Sequence, residues 1–331
     1  MRPMIQTLAA LALLGLLGAA AVVGLGLYNV SAQVGHMPGV SWVLHTTFRN
    51  SVKLRAPSME TAPDLSDPDL VALGAGHYAT ACAPCHASPG TDRSATMRAM
   101  NPVPPRIEEA IGDWAPNHLH WIVENGVKMS GMPAWPAAHR GDEVWAVVAY
   151  LVALREGTAD DLPTDGPEGE ARAYCATCHG RVGGRVPRLD LQDPGYLAAQ
   201  LRAYADGTRP SGIMAQAVSL VPEAAHAELA AYFASAKGPE DVSAATGADT
   251  SEGAALAQAG TREVPACAAC HEGPEPRKGP VLDGQTRAFL DQQLRLWRDG
   301  TYAHDKLMSA AAQELTDDDI AALAAYYAGR R

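Results

Sequence analysis

Aromatic side chains are scarce in this sequence, which bears on how its cores are filled. Only three of the 331 residues are Phe, and Phe, Trp and Tyr together make up 6% of the chain. A chain of this length predicts two to four domains, and small domains bury too little surface to be stable without bulky apolar groups. The scarcity excludes cores filled mainly by aromatic residues and indicates that another apolar group completes them.

Positive charge is also in short supply. Lys and Arg number 26 against 37 Asp and Glu, which gives a formal net charge of −11. Nucleic-acid binding depends on clustered Lys and Arg that contact phosphates, and the sequence has no such cluster. The composition therefore excludes a nucleic-acid partner, and the acidity indicates a well-solvated exterior.

Cysteine is limited to six residues, and all of them fall into three pairs. Each pair encloses two residues and is followed at once by a histidine, in ACAPCH (81–86), YCATCH (174–179) and ACAACH (266–271). No cysteine is left for a disulfide elsewhere or for a lone nucleophile. Zinc sites also use close cysteine pairs, so the histidine after each pair decides between the interpretations.

Cys-x-x-Cys-His is the pattern of covalent c-type haem attachment. Two thiols on one helical turn meet the two vinyl groups at one porphyrin edge, and the next residue points its imidazole at the iron. The sequence therefore predicts three covalent haem c cofactors, attached through Cys82, Cys85, Cys175, Cys178, Cys267 and Cys270. The predicted proximal iron ligands are His86, His179 and His271. The apolar macrocycles also supply the missing core bulk.

Stretches rich in Pro, Ser, Asp and Gly divide the chain at 56–68, 157–168 and 238–252. They predict three units, the first at 69–156, the second at 167–237 and the third at 253–331. Each unit has one haem motif near its start and an alanine-rich amphipathic helix at its end. The second and third units repeat at a constant offset of 93, as from Gln192 to Gln285. No strand-like alternation persists, so the predicted fold is all-α.

The sixth ligand of each iron is predicted to be a methionine from later in the same unit. The first unit offers Met129 and Met132, and Met132 is favoured because the following proline fixes the loop. Met214 and Met308 occupy similar places in the second and third units. Core packing is the alternative role for a methionine, and bis-histidine ligation remains an alternative through His118, His120, His226 or His304.

Each proximal histidine also needs a partner that holds its second ring nitrogen. In small c-type cytochromes a proline carbonyl in the following loop often does this. Pro187 and Pro280 follow the second and third motifs suitably, and either Pro104 or Pro105 does so in the first unit. These residues could equally be ordinary turn prolines.

The first 30 residues are predicted to form a transmembrane anchor, followed by a juxtamembrane segment and linker at 31–68. No Asp, Glu, Lys or Arg occurs from residue 3 to 48, and residues 4–27 are almost wholly apolar. A helix of that length would run about 36 Å, enough to cross a hydrocarbon core of about 30 Å. The alternative is a signal peptide cleaved at Val30-Ser31-Ala32, but the apolar core of such peptides is usually shorter. Both alternatives export the remainder of the chain.

In these features the chain resembles a membrane-anchored trihaem c-type cytochrome with three tandem class I cytochrome c domains. The second and third units resemble the two-domain dihaem small cytochromes c, through CxxCH, the P-x-L loop, the QL-x5-G stretch, the single Met and the final LAAYxA helix. The first unit, with MPAW (132–135), is similar to other class I domains. The amino-terminal region is similar to that of anchored cytochrome subunits of bacterial periplasmic dehydrogenases or terminal oxidases.

This resemblance implies an electron carrier with no catalytic residues of its own. It would relay single electrons from a dehydrogenase or quinol-oxidising complex to a terminal oxidase or soluble cytochrome, alone or as the cytochrome subunit of a larger oxidoreductase complex. Met/His ligation raises haem potentials, which suits transfer toward an oxidase. The expected location is the bacterial inner membrane, with a single lipid-embedded helix and the haem domains in the periplasm. The alternative is a haem enzyme with one open coordination site, either peroxidase-like or thiosulfate-oxidising.

Overall fold

The computed structural model describes residues 2–160, 171–180, 182–236, 238, 250–273 and 278–330. Throughout these ranges the regular secondary structure is helical and contains no β-strand, which confirms the predicted all-α class. Most of the predicted linkers at 157–168 and 238–252 lies outside the described residues, as does the start of the predicted second unit. The exact unit boundaries stay predictions.

Two helices precede the first unit. Helix α1 (Arg2–Gly24) is fully exposed and is long and apolar enough to cross a membrane, criteria that a signal sequence near the amino terminus also meets. Helix α2 (Val40–Arg55) packs on the first unit, because Val52 is buried and the Phe48 ring meets the Trp114 ring edge-on at 5.6 Å. Helix α2 thus ties the amino-terminal segment to the first unit.

The first unit is built around the crossing of its first and last long helices. Tyr78 and Tyr150, one from each helix, are buried with their ring centroids 5.2 Å apart. Asp67 begins the first of these helices by accepting a hydrogen bond from Asp69 N at 3.0 Å, with a proline in the first turn. A 3₁₀ turn (Met59–Thr61) is followed by α3 (Pro68–Ala81), α4 (Ala83–His86), α5 (Ala95–Arg98), α6 (Ile107–Ile111), α7 (Pro116–Asn125) and α8 (Gly141–Glu156).

The second and third units share a simpler plan, in which the haem motif is followed by three further helices. The second unit contains α9 (Ala171–His179), α10 (Pro194–Ala205), α11 (Gly212–Ser219), a 3₁₀ turn (Glu223–Ala225) and α12 (His226–Ser235). The third contains α13 (Ser251–Ala259), α14 (Ala268–His271), α15 (Arg287–Arg298), α16 (Lys306–Ala312) and α17 (Asp317–Ala328).

The first and third units use the same close helix crossing, although their sequences show no close match. A Cβ atom on Gly74 of α3 would overlap the carbonyl of Ala146 in α8 and lie 3.0 Å from Tyr150 Cβ. A Cβ atom on Gly253 of α13 would likewise overlap the carbonyl of Ala322 in α17. Glycine therefore lets the first and last helices of each unit approach to backbone contact.

The second and third units meet through a reciprocal pair of buried glutamines. Gln192 accepts from Val281 N at 3.0 Å and donates to Val281 O at 2.7 Å. Gln285 accepts from Arg188 N at 2.9 Å and donates to Arg188 O at 2.8 Å. Both pairs follow the offset of 93, so the repeated units face each other across a pseudo-twofold axis.

The first unit contacts the second through its amino-terminal acidic residues. Asp69 accepts hydrogen bonds from Gly184 N at 2.7 Å and from Gly183 N at 3.3 Å, and Asp67 pairs with Arg185 at 2.9 Å. These bonds hold the loop that follows the second haem motif. The second unit is therefore in contact with both of its neighbours.

The helix crossings lead to a prediction about Gly74 and Gly253. Changing either glycine to alanine inserts a methyl group into a backbone contact, and overpacking of this kind costs about 1–3 kcal/mol. We expect Gly74→Ala and Gly253→Ala to lower the melting temperature of the haem-loaded protein. The matched control is Gly112→Ala, where a Cβ atom meets nothing within 4 Å and φ is −57°. Equal melting temperatures for Gly74→Ala and Gly112→Ala would contradict the prediction.

Candidate haem-binding sites

Each Cys-x-x-Cys-His motif lies on a turn of helix. In the first motif His86 N donates to Cys82 O at 2.9 Å, and in the third His271 N donates to Cys267 O at 3.0 Å. The second motif occupies the end of α9. A helical turn brings residues three apart to one side of the helix. All six thiols are half-buried and free of disulfides, so each pair is available for attachment.

Burial raises the pKa of four motif thiols well above neutral pH. The pKa of Cys82 rises to about 12, and those of Cys175, Cys178 and Cys267 rise to about 11. Thiols of this kind stay protonated at neutral pH and are poor nucleophiles. The sites suit neutral thioether bonds rather than thiolate catalysis.

The three proximal histidines share one hydrogen bond, from Nδ1 to the carbonyl oxygen of a proline in the following loop. These bonds join His86 to Pro105 at 2.8 Å, His179 to Pro187 at 3.3 Å and His271 to Pro280 at 2.9 Å. The prediction for Pro187 and Pro280 is confirmed, and in the first unit the partner is Pro105 rather than Pro104. Because a carbonyl only accepts, Nδ1 carries the proton and Nε2 keeps its lone pair for the iron.

The surroundings of two of these histidines favour the neutral imidazole that ligation requires. Burial lowers the pKa of both His179 and His271. The bonds to Pro187 and Pro280 raise these pKa values, but by less than burial lowers them. In the third unit Gly279 lies against the ring, since a Cβ atom there would come within 2.7 Å of His271 Nδ1. Glycine at this position lets the loop reach over the imidazole.

The first-unit methionines differ in exposure. Met129 is 87% exposed and has a φ of 60°, whereas Met132 is half-buried. The Met132 loop is fixed by two hydrogen bonds, from Met132 N to Ser130 Oγ at 3.2 Å and from Val127 N to Met132 O at 3.2 Å. The structure thus offers Met132 in an ordered, half-buried loop, and its role as iron ligand stays a prediction.

Met214 and Met308 occupy equivalent places on helices α11 and α16. Each is the third residue of its helix, and each backbone N–H donates to a side chain three residues earlier, Ser211 Oγ at 3.1 Å or Asp305 Oδ1 at 2.9 Å. In the third unit Met308 and Cys267 pack against the same buried core. Ligation by both methionines remains predicted.

The rival histidines fall into two groups. His118, His120 and His304 have other contacts: Ala115 N donates to His118, His120 is bonded to the Gly141 carbonyl at 2.8 Å, and His304 lies against the Trp297 ring. His226 is 4% exposed, and neither of its ring nitrogens has a hydrogen-bond partner among the described residues. The geometry therefore keeps His226 open as an alternative ligand in the second unit.

Sequence reasoning missed a polar cluster between the units. It comprises Arg140 just before α8, Glu143 in the first turn of α8, Trp135 after the Met132 loop, and Ser211 just before α11. His77, to which no function was assigned, lies with its ring 4.7 Å from that of Trp135, and burial lowers its pKa to about 4. No local motif marks these residues, because their partners lie in another unit.

The donor set of each motif fits a covalently bound haem. Paired protonated thiols on a helical turn suit the two thioether bonds, and a neutral imidazole with a fixed Nδ1–H suits the iron. No group of three or more His, Cys, Asp and Glu residues that would hold a free metal ion occurs within the described ranges.

Comparison with known proteins agrees with this chemistry. The sequence matches the family model described as cytochrome c oxidase, cbb3-type, subunit III, over residues 45–151 and 248–326. These segments include the first and third motifs, and the second motif lies between them.

Curated relatives include one named as an electron acceptor and one named as a cytochrome. The chain is 32% identical over 210 residues to a thiosulfate dehydrogenase electron acceptor from Stutzerimonas stutzeri, a match that covers 59% of this chain and 94% of that protein. It is 33% identical over 179 residues to a cytochrome c4 from Pseudomonas aeruginosa, covering 50% and 88% of the two chains. Among solved structures it is similar to reduced recombinant cytochrome c4 from Pseudomonas stutzeri, with 26% identity, a TM-score of 0.42, and coverage of 51% of this chain and 100% of that one.

The contrast between Met129 and Met132 gives a spectroscopic prediction. Leucine approximates the volume of methionine but has no sulfur lone pair, so it removes ligation with little effect on packing. Ferric Met/His haems show a charge-transfer absorption at long wavelength. We expect Met132→Leu to remove the contribution of the first haem to this absorption. Met129→Leu is the matched control and should leave the spectrum unchanged. The reverse pattern would assign the ligand to Met129.

Proposed function

The chain belongs to the family of c-type cytochromes described as cytochrome c oxidase, cbb3-type, subunit III, and from this we propose that it is a membrane-tethered carrier that relays single electrons through three haems. Its relatives named cytochrome c4 are electron carriers, and covalent haem c is the cofactor of this family. The haem supplies the one-electron couple, and the chain supplies attachment, ligands and spacing.

The recurrence of one donor set carries the proposal. All three motifs combine a free cysteine pair, a histidine and a bond from that histidine to a proline carbonyl. The proline bond leaves Nε2 free for a metal, and its occurrence at all three motifs indicates the same ligand role for each histidine. We therefore assign one haem to each unit, including the second unit, which the family model leaves unmatched.

The packing of the units supports a relay. The second unit contacts the first through Asp69 and contacts the third through the glutamine pair. Its Cys178 sulfur also lies against α3, where a Cβ atom on Gly76 would be 3.1 Å from Sγ. A haem attached at Cys178 would therefore lie beside the first unit. The first unit also contacts the third, through Arg140 and the Tyr302 hydroxyl. These contacts support a relay among three adjoining units.

The donor and acceptor are proposed from the relatives. One relative is named as an electron acceptor of thiosulfate dehydrogenase, which favours a periplasmic dehydrogenase as donor. The family description names an oxidase subunit, which favours a terminal oxidase as acceptor. The chain would then connect the two, with its haem units in the periplasm and α1 in the inner membrane.

Haem content tests the core of the proposal. We expect the intact mass of the purified protein to exceed the polypeptide mass by three haems. We also expect the protein band on a denaturing gel to stain for haem peroxidase activity, whether or not the sample is boiled. Changing Cys175 and Cys178 to serine should remove one haem, because a hydroxyl does not form the thioether bond. A mass with two added haems in the wild-type protein would contradict the assignment of the second unit.

The spin state separates a carrier from an enzyme. A carrier with six-coordinate irons gives three low-spin ferric haems at neutral pH in electron paramagnetic resonance. A peroxidase-like or thiosulfate-oxidising enzyme would show a high-spin component from an open site. High-spin iron together with substrate turnover would overturn the carrier proposal.

The role of α1 is tested in membranes of the producing cell. Because α1 is apolar along 23 residues, we expect the haem-loaded chain to stay in the membrane fraction after alkaline carbonate extraction, with its amino terminus intact. Sequencing of the mature amino terminus supplies the control. A soluble periplasmic protein that begins after Ala32 would show that α1 is a cleaved signal.

A further inference from the structure

The carboxylate of Glu143, in the first turn of α8, lies between the first and second units. Its side chain is only 9% exposed. It accepts hydrogen bonds from Ser211 Oγ at 2.5 Å, from Gly212 N at 2.6 Å and from Ile213 N at 3.3 Å. All three donors belong to the second unit and lie at the beginning of α11. A side chain of one unit therefore satisfies the backbone at the start of a helix in the other.

Ser211 links this carboxylate directly to Met214. The Ser211 hydroxyl accepts a hydrogen bond from Met214 N at 3.1 Å and donates its own hydrogen to Glu143. A hydroxyl has one donor and two acceptor sites, and this arrangement uses the donor and one acceptor. Hydrogen bonds in a line polarise one another, so the bond from Ser211 to Glu143 strengthens the bond from Met214 N to Ser211.

Packing fixes the same stretch of chain. Ile213 lies against the buried core of the first unit. Trp135 packs so closely on Gly212 that a Cβ atom there would overlap the indole ring, and Trp135 Nε1 donates to Glu143 Oε2 at 3.3 Å. The beginning of α11 is thus seated in the first unit by apolar and polar contacts together.

Arg140 forms an ion pair with the buried Glu143 side chain. Its Nη2 lies 2.7 Å from Glu143 Oε1, and its Nη1 donates to Pro210 O at 2.5 Å and to the Tyr302 hydroxyl of the third unit at 3.1 Å. Burial raises the pKa of Glu143, and the Arg140 guanidinium opposes this shift while also pairing with Asp142 at 2.9 Å. Arg140 also fixes the residue before Ser211.

The second and third units differ in the side chain that accepts the hydrogen bond from the methionine N–H. The N–H of Met308 is capped directly by Asp305, a carboxylate of its own unit. At the equivalent position the second unit has only the Ser211 hydroxyl, and the carboxylate behind it comes from the first unit. The two repeats thus anchor their methionine helices by different means.

From these contacts we propose that Glu143 of the first unit is a positioning residue for Met214, so that docking of the first unit sets how firmly the sixth ligand of the second unit is held. The proposal deepens the proposed function and rests on Met214 being that ligand. Outer-shell partners of metal ligands typically contribute about 10- to 100-fold to metal affinity. Loss of the carboxylate should therefore release the methionine more readily.

The test is competition by imidazole in the full haem-loaded chain. Imidazole displaces a weakly held methionine, and displacement is followed by loss of the Met-haem charge-transfer absorption. The share that belongs to the second haem is defined by the difference between wild-type protein and Met214→Leu. We expect Glu143→Ala and Ser211→Ala to raise the apparent imidazole affinity of that share by about tenfold. Glu143→Gln, which retains an acceptor for Gly212 N, should give a smaller change.

The control is Glu156→Ala, which removes an exposed carboxylate from the end of the same helix. It should leave the imidazole affinity of all three haems at the wild-type value. Haem content and far-ultraviolet circular dichroism check folding, and if Glu143→Ala fails to fold, Ser211→Ala and Glu143→Gln carry the test. Wild-type imidazole affinity in Ser211→Ala and in the folded Glu143 variants would overturn the inference. No loss of absorption in Met214→Leu would instead show that Met214 is not the ligand, which is a failure of the underlying assignment, with His226 as the next candidate.

Discussion

The hydrogen bond from each motif histidine to a proline carbonyl is the interaction on which the candidate haem sites depend. Attachment at the cysteines would fix one edge of a haem, and this bond would decide which imidazole nitrogen is free for the iron. A carbonyl accepts and never donates, so Nδ1 must keep its proton and Nε2 must keep its lone pair. The same bond ties the motif helix to the loop that follows it, as from His271 to Pro280. Ligand geometry and the local fold are therefore set by one contact.

The units are joined mainly by buried polar groups rather than by a shared apolar core. Gln192 and Gln285 pair with backbone across one contact, and Arg140 and Glu143 do so across another. Burying such groups gains little stability, since desolvation offsets much of the attraction. What they contribute is specificity, because a displaced unit would leave amides and charges unpaired. The proposed electron relay would benefit from this arrangement, since it would require fixed spacing between cofactors.

The sequence predicted the parts of the molecule whose causes are local. The cysteine spacing, the following histidine and the nearby Pro187 and Pro280 all lie within one short stretch, and the structure joins them as expected. The all-α class followed from the absence of strand alternation. The need for glycine at Gly74, by contrast, comes from a helix that lies far along the chain. The contact between Glu143 and the second unit was equally unpredictable from the sequence. An acidic residue in the first turn normally interacts with the N-terminal backbone of its own helix.

The repeat itself explains why the first unit matters to the second. Two copies of one domain face each other across a pseudo-twofold axis, and each pairs an equivalent glutamine, Gln192 or Gln285, with backbone of the other copy. The copies differ in the residue three positions before the methionine, Ser211 or Asp305, and in their contacts with the first unit. The first unit supplies a carboxylate to the helix of Met214, whereas Met308 has Asp305 in its own unit. Under the proposed ligation, the two sites would hold their methionines with different firmness while keeping the same Cys-x-x-Cys-His motif.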